Sequence, residues 1–256
     1  MKNGKSKFKF HCTIVLLVIL SIVSSGCKKK ENPNKKNEEG SKLLIGFSLP
    51  TFKEDRWLRD RDIFVAKVNE AGYEVIVTNA NNDKELQFKQ VIEMIDRGID
   101  ILVIAPQDAD DCARAVRLAK DAGIPVISYD RLIRNANVDA YISFDNVKVG
   151  TLLGKGLVES VPEGGYIILN GSKDDNNSNM FREGYMNELR PYIESGMINI
   201  IAETWVEDWR RETAYEVVSK ELKENADKVN AILAANDSLA WGTIDALSEA
   251  RLTGKI

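Results

Sequence analysis

The chain has 256 residues with 35 basic and 39 acidic side chains, so it lacks the excess positive charge typical of proteins that bind nucleic acid. A single histidine, His11, and three cysteines leave serine and cysteine hydrolases without the imidazole base that their nucleophiles usually need, and zinc enzymes without their usual ligands. Beyond residue 27 the sequence has no histidine and one cysteine, Cys112, which we interpret as a core residue of a helix and which cannot form a disulfide within that part of the chain.

Residues 1–27 have the three parts of a secretory signal: lysines, then the apolar run 12–23, then SSGC. Twelve apolar residues are too few to span a bilayer comfortably, so the segment predicts export. The SSGC ending resembles a bacterial lipobox, with Ser24 where that pattern prefers leucine. We therefore expect Cys27 to be lipidated and to hold the protein at the extracytoplasmic face of the cell membrane, with an uncleaved amphiphilic anchor as the alternative.

Residues 28–42 are polar, charged and free of aromatic side chains, which is typical of a flexible tether. Without the first 27 residues the chain keeps 31 basic residues against 39 acidic ones. An acidic domain on a tether is therefore predicted.

From residue 43 the chain repeats one unit. Gly72, Gly98 and Gly123 each end a helical pattern and precede an apolar, β-branched run, as expected for glycine just beyond a helix end. The two preceding helices show apolar residues at helical spacing: Phe88, Val91, Ile92 and Ile95 in one, and Cys112, Ala115, Val116 and Ala119 in the next. Alternating strands and helices predict a parallel sheet covered on both faces.

The same alternation restarts after residues 141–146. It predicts helices at 147–160, 179–195, 210–224 and 237–249, with apolar strands between them. We therefore expect an α/β fold of two doubly wound, Rossmann-like domains joined by a hinge, an N-terminal lobe at 43–145 and a C-terminal lobe at 146–256. Residues 252–256 are typical of a loop that opens another strand, so we expect the chain to continue in a longer protein.

In open parallel sheets, ligands bind beyond the carboxyl ends of the strands. Asp130 and Arg131 directly follow an apolar strand, and a hydroxyl group, both donor and acceptor, is well matched by an acid and a guanidinium. Trp57 and Trp209 could cover the apolar faces of a sugar ring. These residues favour a neutral, polyhydroxylated ligand. The alternative for Asp130 and Arg131 is an ordinary surface ion pair, and the alternative for the two tryptophans is packing in the core.

Polar residues also follow the predicted strands of the second half. Asp175, Asn176 and Asn177 suit a ligand site, with a loop that caps a helix as the alternative. Asn236 suits a ligand contact or a turn, and we interpret Asp237 as the N-cap of its helix.

No cofactor or metal is expected. Residues 150–156, GTLLGKG, miss both the glycine spacing and the hydroxyl residue of a phosphate-binding loop. The sequence has neither a GxGxxG nor a GxSxG motif, and an enzyme on a doubly wound scaffold is kept only as an alternative.

Several stretches resemble, in chain order, the D-xylose-binding proteins of bacterial ABC uptake systems, a group of the type I periplasmic sugar-binding proteins. They are DRWLRDRDIF, YDRLI, YISFDNVKVG, GSKDDNN, NMFREG, WVEDW and AANDS. The resemblance covers residues 43–256. It implies a two-lobed clamp that closes on one sugar and does no chemistry on it.

The resemblance also implies the ligand contacts and the partners. Matched motif by motif, the ligand-binding residues are Arg56, Trp57, Asp130, Arg131, Asp175, Asn177, Trp209 and Asn236. The partners would be D-xylose, or another pentose or hexose, and either an ABC permease or the extracellular domain of a sensor histidine kinase. Members of the family carry further ligands, an Asp and a Lys, in a segment that this sequence does not contain. A lac-repressor-type effector domain shares the fold, but a signal and tether occupy the place of its DNA-binding segment.

Overall fold

The computed structural model describes residues 42–256. Cys27 and the predicted tether, apart from Lys42, lie outside the described residues. Within the described range, none of the helices combines the length and the apolar composition that crossing a membrane requires.

The first half of the described chain forms a sheet of five parallel strands in the order β2-β1-β3-β4-β5. Its core contains the fully buried Phe47, Leu49, Leu102 and Ile104. The strand β5 at the edge is exposed along its whole length. In chain order the elements are β1 (Leu44–Leu49), α1 (Asp55–Glu70), β2 (Glu74–Asn79), α2 (Lys84–Asp96), β3 (Ile101–Ile104), α3 (Ala113–Asp121), β4 (Val126–Tyr129) and β5 (Ala140–Ile142).

The second half forms a sheet of three parallel strands in the order β7-β6-β8. Its central strand β6 is buried almost throughout, because helices pack on both of its faces. The elements are α4 (Asn146–Ser160), β6 (Gly164–Asn170), α5 (Asn176–Glu194), β7 (Ile198–Trp205), a short 3-10 turn (Glu207–Trp209), α6 (Arg211–Asn225), β8 (Val229–Ala234) and α7 (Asp237–Glu249).

The predicted α/β class with parallel sheets is confirmed. The glycines predicted to end helices adopt the left-handed backbone conformation, with φ of 82° at Gly72, 79° at Gly98 and 76° at Gly123. The boundary predicted at 145/146 falls between the two sheets. The division into two separate lobes at that boundary stays a prediction.

Three local expectations need correction. Met94, rather than Ile92, is a fully buried residue of α2, because the face of the helix that packs on the core contains Val91 and Met94. Cys112 is buried in the core as predicted, but it occupies the N-cap of α3 rather than the helix itself, and burial raises the pKa of its thiol. The helix predicted at 179–195 begins at Asn176, because the Asp175 carboxylate accepts the Asn177 N–H and starts the helix earlier.

Helices α4 and α5 pack closely through glycine. A Cβ atom added at Gly150 would lie 2.1 Å from the Phe181 carbonyl oxygen, and one at Gly184 would lie 2.1 Å from the Val147 carbonyl oxygen. Both obstacles are backbone atoms, so neither can rotate away. This contact sets the position of α5, whose first turn carries Asn177.

We expect Gly150→Ala to lower the free energy of unfolding by about 1–3 kcal/mol or more, because the added methyl must push α4 and α5 apart. Gly156 lies on the same helix, and a Cβ there meets no heavy atom within 4 Å. The control Gly156→Ala should therefore raise stability by about 0.5–1 kcal/mol. Urea denaturation checks both, and an equal effect of the two substitutions would contradict the close packing.

Candidate functional site

A cavity of about 260 Å³ opens where the carboxyl ends of the strands of both sheets meet. Its lining combines charged, amide and aromatic side chains from loops of both halves of the chain. Of the eight predicted ligand-binding residues, the cavity brings together seven: Arg56, Asp130, Arg131, Asp175, Asn177, Trp209 and Asn236.

Asp130 follows β4 and forms a two-pronged ion pair with Arg56 at the start of α1. Arg56 Nη1 donates to Asp130 Oδ1 at 3.1 Å, and Nη2 lies 2.8 Å from Oδ2. Asp130 adopts a left-handed backbone with φ of 62°, a conformation that aspartate tolerates better than most residues. The turn directs its carboxylate into the cavity instead of along the sheet.

Arg131 and Asp175 form a second ion pair, which joins the two halves of the chain. Arg131 Nε lies 2.8 Å from Asp175 Oδ2, and the side chains are only 8% and 4% exposed. The Nε–H of Arg131 lacks hydrogen-bond alignment with that oxygen, so the contact is mainly one of charge. Burial raises the pKa of Asp175, and the Arg131 charge and the Asn177 backbone N–H oppose that rise.

Trp209 lies against this second pair. Its indole Nε1–H donates to Asp175 Oδ2 at 3.2 Å, and the ring packs edge-on against Phe181 with 6.3 Å between centroids. The ring rests directly on Gly171, where a Cβ would lie 2.1 Å from its Cη2 atom. Asp208 and Trp209 both have positive φ, 53° and 55°, so a strained turn holds the indole at the cavity.

Asn177 connects the two ion pairs. Its backbone N–H donates to Asp175 Oδ1 at 2.9 Å. Its side-chain Nδ2 donates to the Asp130 carbonyl oxygen at 3.2 Å and reaches Asp130 Oδ2 at 3.4 Å. The amide is buried, with 6% of the residue exposed.

The cap of α7 differs from the prediction. Asn236, not Asp237, is the N-cap: its Oδ1 accepts the Leu239 N–H at 2.9 Å. Asp237 begins the helix, and both residues line the cavity. Because the cap uses Asn236 Oδ1, its Nδ2 group is the part of this side chain available as a donor to a ligand.

The structure places Trp57 differently from the other predicted residues. It is fully buried and is not among the residues that line the cavity. Its ring supports the guanidinium groups that do, with the Arg56 Cζ atom 3.9 Å and the Arg131 Cζ atom 5.4 Å from the ring centroid. In this arrangement Trp57 orients two cavity arginines and leaves Trp209 as the indole that faces the cavity.

Sequence reasoning missed several lining residues. Glu54 is one, and burial raises the pKa of its carboxyl group, opposed by the charges of Arg131 and Arg56. The other six all lie in stretches that already carried the resemblance, so position within those stretches was the available signal. The remaining missed residues are Phe144, Asn146, Val149, Phe181, Ala235 and Asp237.

The side chains that line the cavity are suited to binding a ligand. Both of its arginines have acidic partners, so the cavity offers no unpaired positive charge to an anion. Residues 42–256 contain no cluster of His, Cys, Asp or Glu able to hold a metal ion. Carboxylates, guanidinium groups, amides and an indole together suit a small ligand with several hydroxyl groups.

We expect Arg131→Met to lower the free energy of unfolding by about 3–5 kcal/mol near neutral pH, because it leaves the Asp175 carboxylate buried without a countercharge. The raised pKa of Asp175 makes the charged form costly, so the loss should shrink as the pH falls through that pKa and the carboxyl becomes neutral. Denaturant unfolding at neutral and mildly acidic pH measures both effects.

The control is Lys120→Met. Lys120 pairs with Asp139 at 2.6 Å, but their side chains are 34% and 41% exposed. Its loss should cost about 0–1 kcal/mol. A similar cost for both variants would show that the Arg131 pair is not desolvated.

A family model described as a periplasmic binding protein domain matches residues 45–256. The D-xylose-binding periplasmic protein of Escherichia coli is 44% identical over 214 residues, covering 84% of this chain and 65% of that protein. The D-xylose-binding periplasmic protein of Haemophilus influenzae is 40% identical, covering 95% of this chain and 70% of that protein. The chain thus spans about two thirds of the length of these relatives.

Among solved structures, an ABC transporter solute-binding protein from Clostridium phytofermentans with bound β-D-glucose superposes with a TM-score of 0.77 at 34% identity. The match covers 80% of this chain and 68% of that one. The family match, the relatives and the parallel α/β architecture agree. The chain belongs to the periplasmic binding protein family, among its type I sugar-binding proteins.

Proposed function

We propose that the protein is an extracytoplasmic sugar receptor that binds D-xylose between two lobes and presents the closed form to a membrane partner. The observation that carries the proposal is the cavity where two carboxylate–guanidinium pairs and an indole meet at the strand ends of both sheets. The two relatives that are 44% and 40% identical are both named D-xylose-binding proteins, which supports the choice of sugar.

The cavity suits a neutral monosaccharide. Its volume of about 260 Å³ is below the roughly 300–1,000 Å³ of pockets for drug-sized ligands, which favours a single sugar ring over an oligosaccharide. Asp130 would accept hydrogen bonds from sugar hydroxyls, while Arg56, Arg131 and the Nδ2 group of Asn236 would donate. The indole of Trp209 would cover an apolar face of the ring.

Binding would proceed by hinge closure. The cavity is built from loops of both halves, so a sugar makes its full set of contacts only when the halves are together. A ligand with such a preference shifts the population toward the closed state. The ion pair between Arg131 and Asp175 would be formed in that state.

We expect D-xylose to give calorimetric binding that exceeds the binding of D-ribose, L-arabinose and D-glucose. Asp130→Asn should weaken D-xylose binding about 10- to 100-fold, because a hydrogen bond to a charged acceptor is lost. Asparagine keeps the shape and tolerates the left-handed backbone at this position. The measured affinity therefore reports the loss of the charge.

Asp227→Asn is the matched control, because Asp227 is exposed and is not among the lining residues. It should bind D-xylose as the unchanged protein does. Absence of binding heat with all four sugars would overturn the sugar-receptor proposal, and preferential binding of another of them would reassign the ligand.

For the membrane we propose a lipid anchor at Cys27, which lies outside the described residues. The partner is either the permease of an ABC transporter or the extracellular domain of a sensor histidine kinase, each of which would recognise the closed two-lobed surface. We expect a radiolabelled fatty acid to be incorporated into the protein in cells that export it, and Cys27→Ser to abolish that labelling. Cys112→Ser, at the buried cysteine, is the control and should keep the label. Labelling that persists in Cys27→Ser, or that is absent from the unchanged protein, would contradict the lipid anchor.

A further inference from the structure

A closed ring of hydrogen bonds passes through the cavity wall and returns to the residue where it starts. Ser143 Oγ donates to the Asp130 carbonyl oxygen at 2.6 Å. Asn146 Nδ2 donates to Ser143 Oγ at 3.1 Å and to Asn177 Oδ1 at 3.0 Å. Asn177 Nδ2 then donates back to the Asp130 carbonyl oxygen at 3.2 Å.

The order of donors in this ring is fixed by chemistry. The Asp130 carbonyl oxygen can only accept, so the hydroxyl of Ser143 must donate to it. Ser143 Oγ then accepts from its other neighbour, which must be the Nδ2 group of Asn146. The second N–H of that group faces Asn177, so Asn177 presents Oδ1 to it and Nδ2 to Asp130.

In the ring, the side-chain NH₂ groups of Asn146 and Asn177 each donate two hydrogen bonds. Each Nδ2 group has two N–H bonds. Those of Asn146 point to Ser143 and Asn177, and those of Asn177 point to the carbonyl oxygen and to Oδ2 of Asp130. Asn146 and Asn177 are only 4% and 6% exposed, so water is a poor substitute for any of these partners.

We propose that Asn146 is a positioning residue for the sugar site: it holds the side chain of Asn177 in place and, through it, supports the direction of the Asp130 carboxylate. This inference rests on the proposed sugar-binding function. Asn146 occupies the first turn of α4, the element that follows the first sheet, and its amide contacts side chains that precede and follow that helix. It is therefore placed to keep the Nδ2 group of Asn177, in the second half, aligned with the oxygens of Asp130 in the first half.

Loss of the Asn146 amide removes the donor that holds Asn177 Oδ1, so the Asn177 side chain is no longer held from both sides. Rotation of that side chain would break its Nδ2 contacts with the Asp130 carbonyl and carboxylate oxygens. The carboxylate would then lose one of the contacts that hold it in the cavity. Sugar affinity should fall although Asn146 itself need not touch the sugar.

The test is a double-mutant cycle on D-xylose affinity measured by calorimetry. We expect Asn146→Ala to weaken binding about 10- to 100-fold. The same substitution in an Asn177→Ala protein should have less than about a twofold further effect, because the residue through which it acts is already gone. Equal effects in the two backgrounds, or unchanged affinity of Asn146→Ala, would overturn the proposal.

Asn179→Ala is the matched control. Asn179 lies two residues beyond Asn177 on the same helix but is exposed, and its substitution should leave D-xylose affinity unchanged. Loss of affinity in this variant would show that any asparagine removed from this helix weakens binding, which would overturn the assignment of a specific role to the ring.

A second measurement remains decisive if the variants do not fold or if the unchanged protein binds none of the sugars. In nuclear magnetic resonance spectra of the sugar-free protein, the two side-chain amide protons of Asn177 should exchange slowly with water. Rapid exchange would overturn the ring. Slow exchange together with absent sugar binding would support the ring while the proposed function fails, so the two failures are distinguishable.

Discussion

The buried ion pair between Arg131 and Asp175 is the contact on which the arrangement of the site depends. It joins a residue after the fourth strand of one sheet to the helix cap after the central strand of the other, with both side chains almost fully buried. An isolated charge in that place would be costly. Each half of the chain therefore supplies a charge that is stable there only when the other half is present, and the indole of Trp209 and the amide of Asn177 are organised around the pair.

Strained backbone surrounds this pair and is held by many contacts. Asp130 has φ of 62°, a conformation that costs a non-glycine residue free energy of order 1 kcal/mol or more. Its N–H donates to the Ile142 carbonyl at 2.8 Å, while its own carbonyl accepts from Ser143, Asn177 and Tyr141. The strained conformation persists because these hydrogen bonds hold both the N–H and the carbonyl group of Asp130 in place. It directs the carboxylate into the cavity, where an extended residue would have continued the strand.

The sequence predicted the order of strands and helices well, because glycines at helix ends and runs of β-branched residues are local signals. Six of the seven predicted cavity residues could be named from their places after strands, because the ends of parallel strands converge at one edge. Arg56 was named only through the family resemblance. Trp57 was harder to place, since the sequence does not tell which face of the first turn of α1 points inward. Asn146 and Glu54 escaped because their roles depend on partners far along the chain: Asn146 through Asn177, and Glu54 through Arg131.

Two contacts between the halves lie outside the cavity lining and bear on how closure would work. Gln107 Nε2 donates to Asp208 Oδ1 at 3.1 Å, and the Ala109 N–H donates to the Asp174 carbonyl at 2.9 Å. Under the proposed closure, such contacts raise the closed population before a sugar arrives. Apparent affinity scales with that population, so they would strengthen the binding of every sugar by the same factor. Discrimination between sugars must then come from the groups that face the cavity, where a hydroxyl in the wrong orientation leaves a buried polar group unpaired. The contacts outside the cavity would thus set the overall affinity, and the groups that face the cavity would set the specificity. A change in the outer contacts could alter affinity without altering specificity.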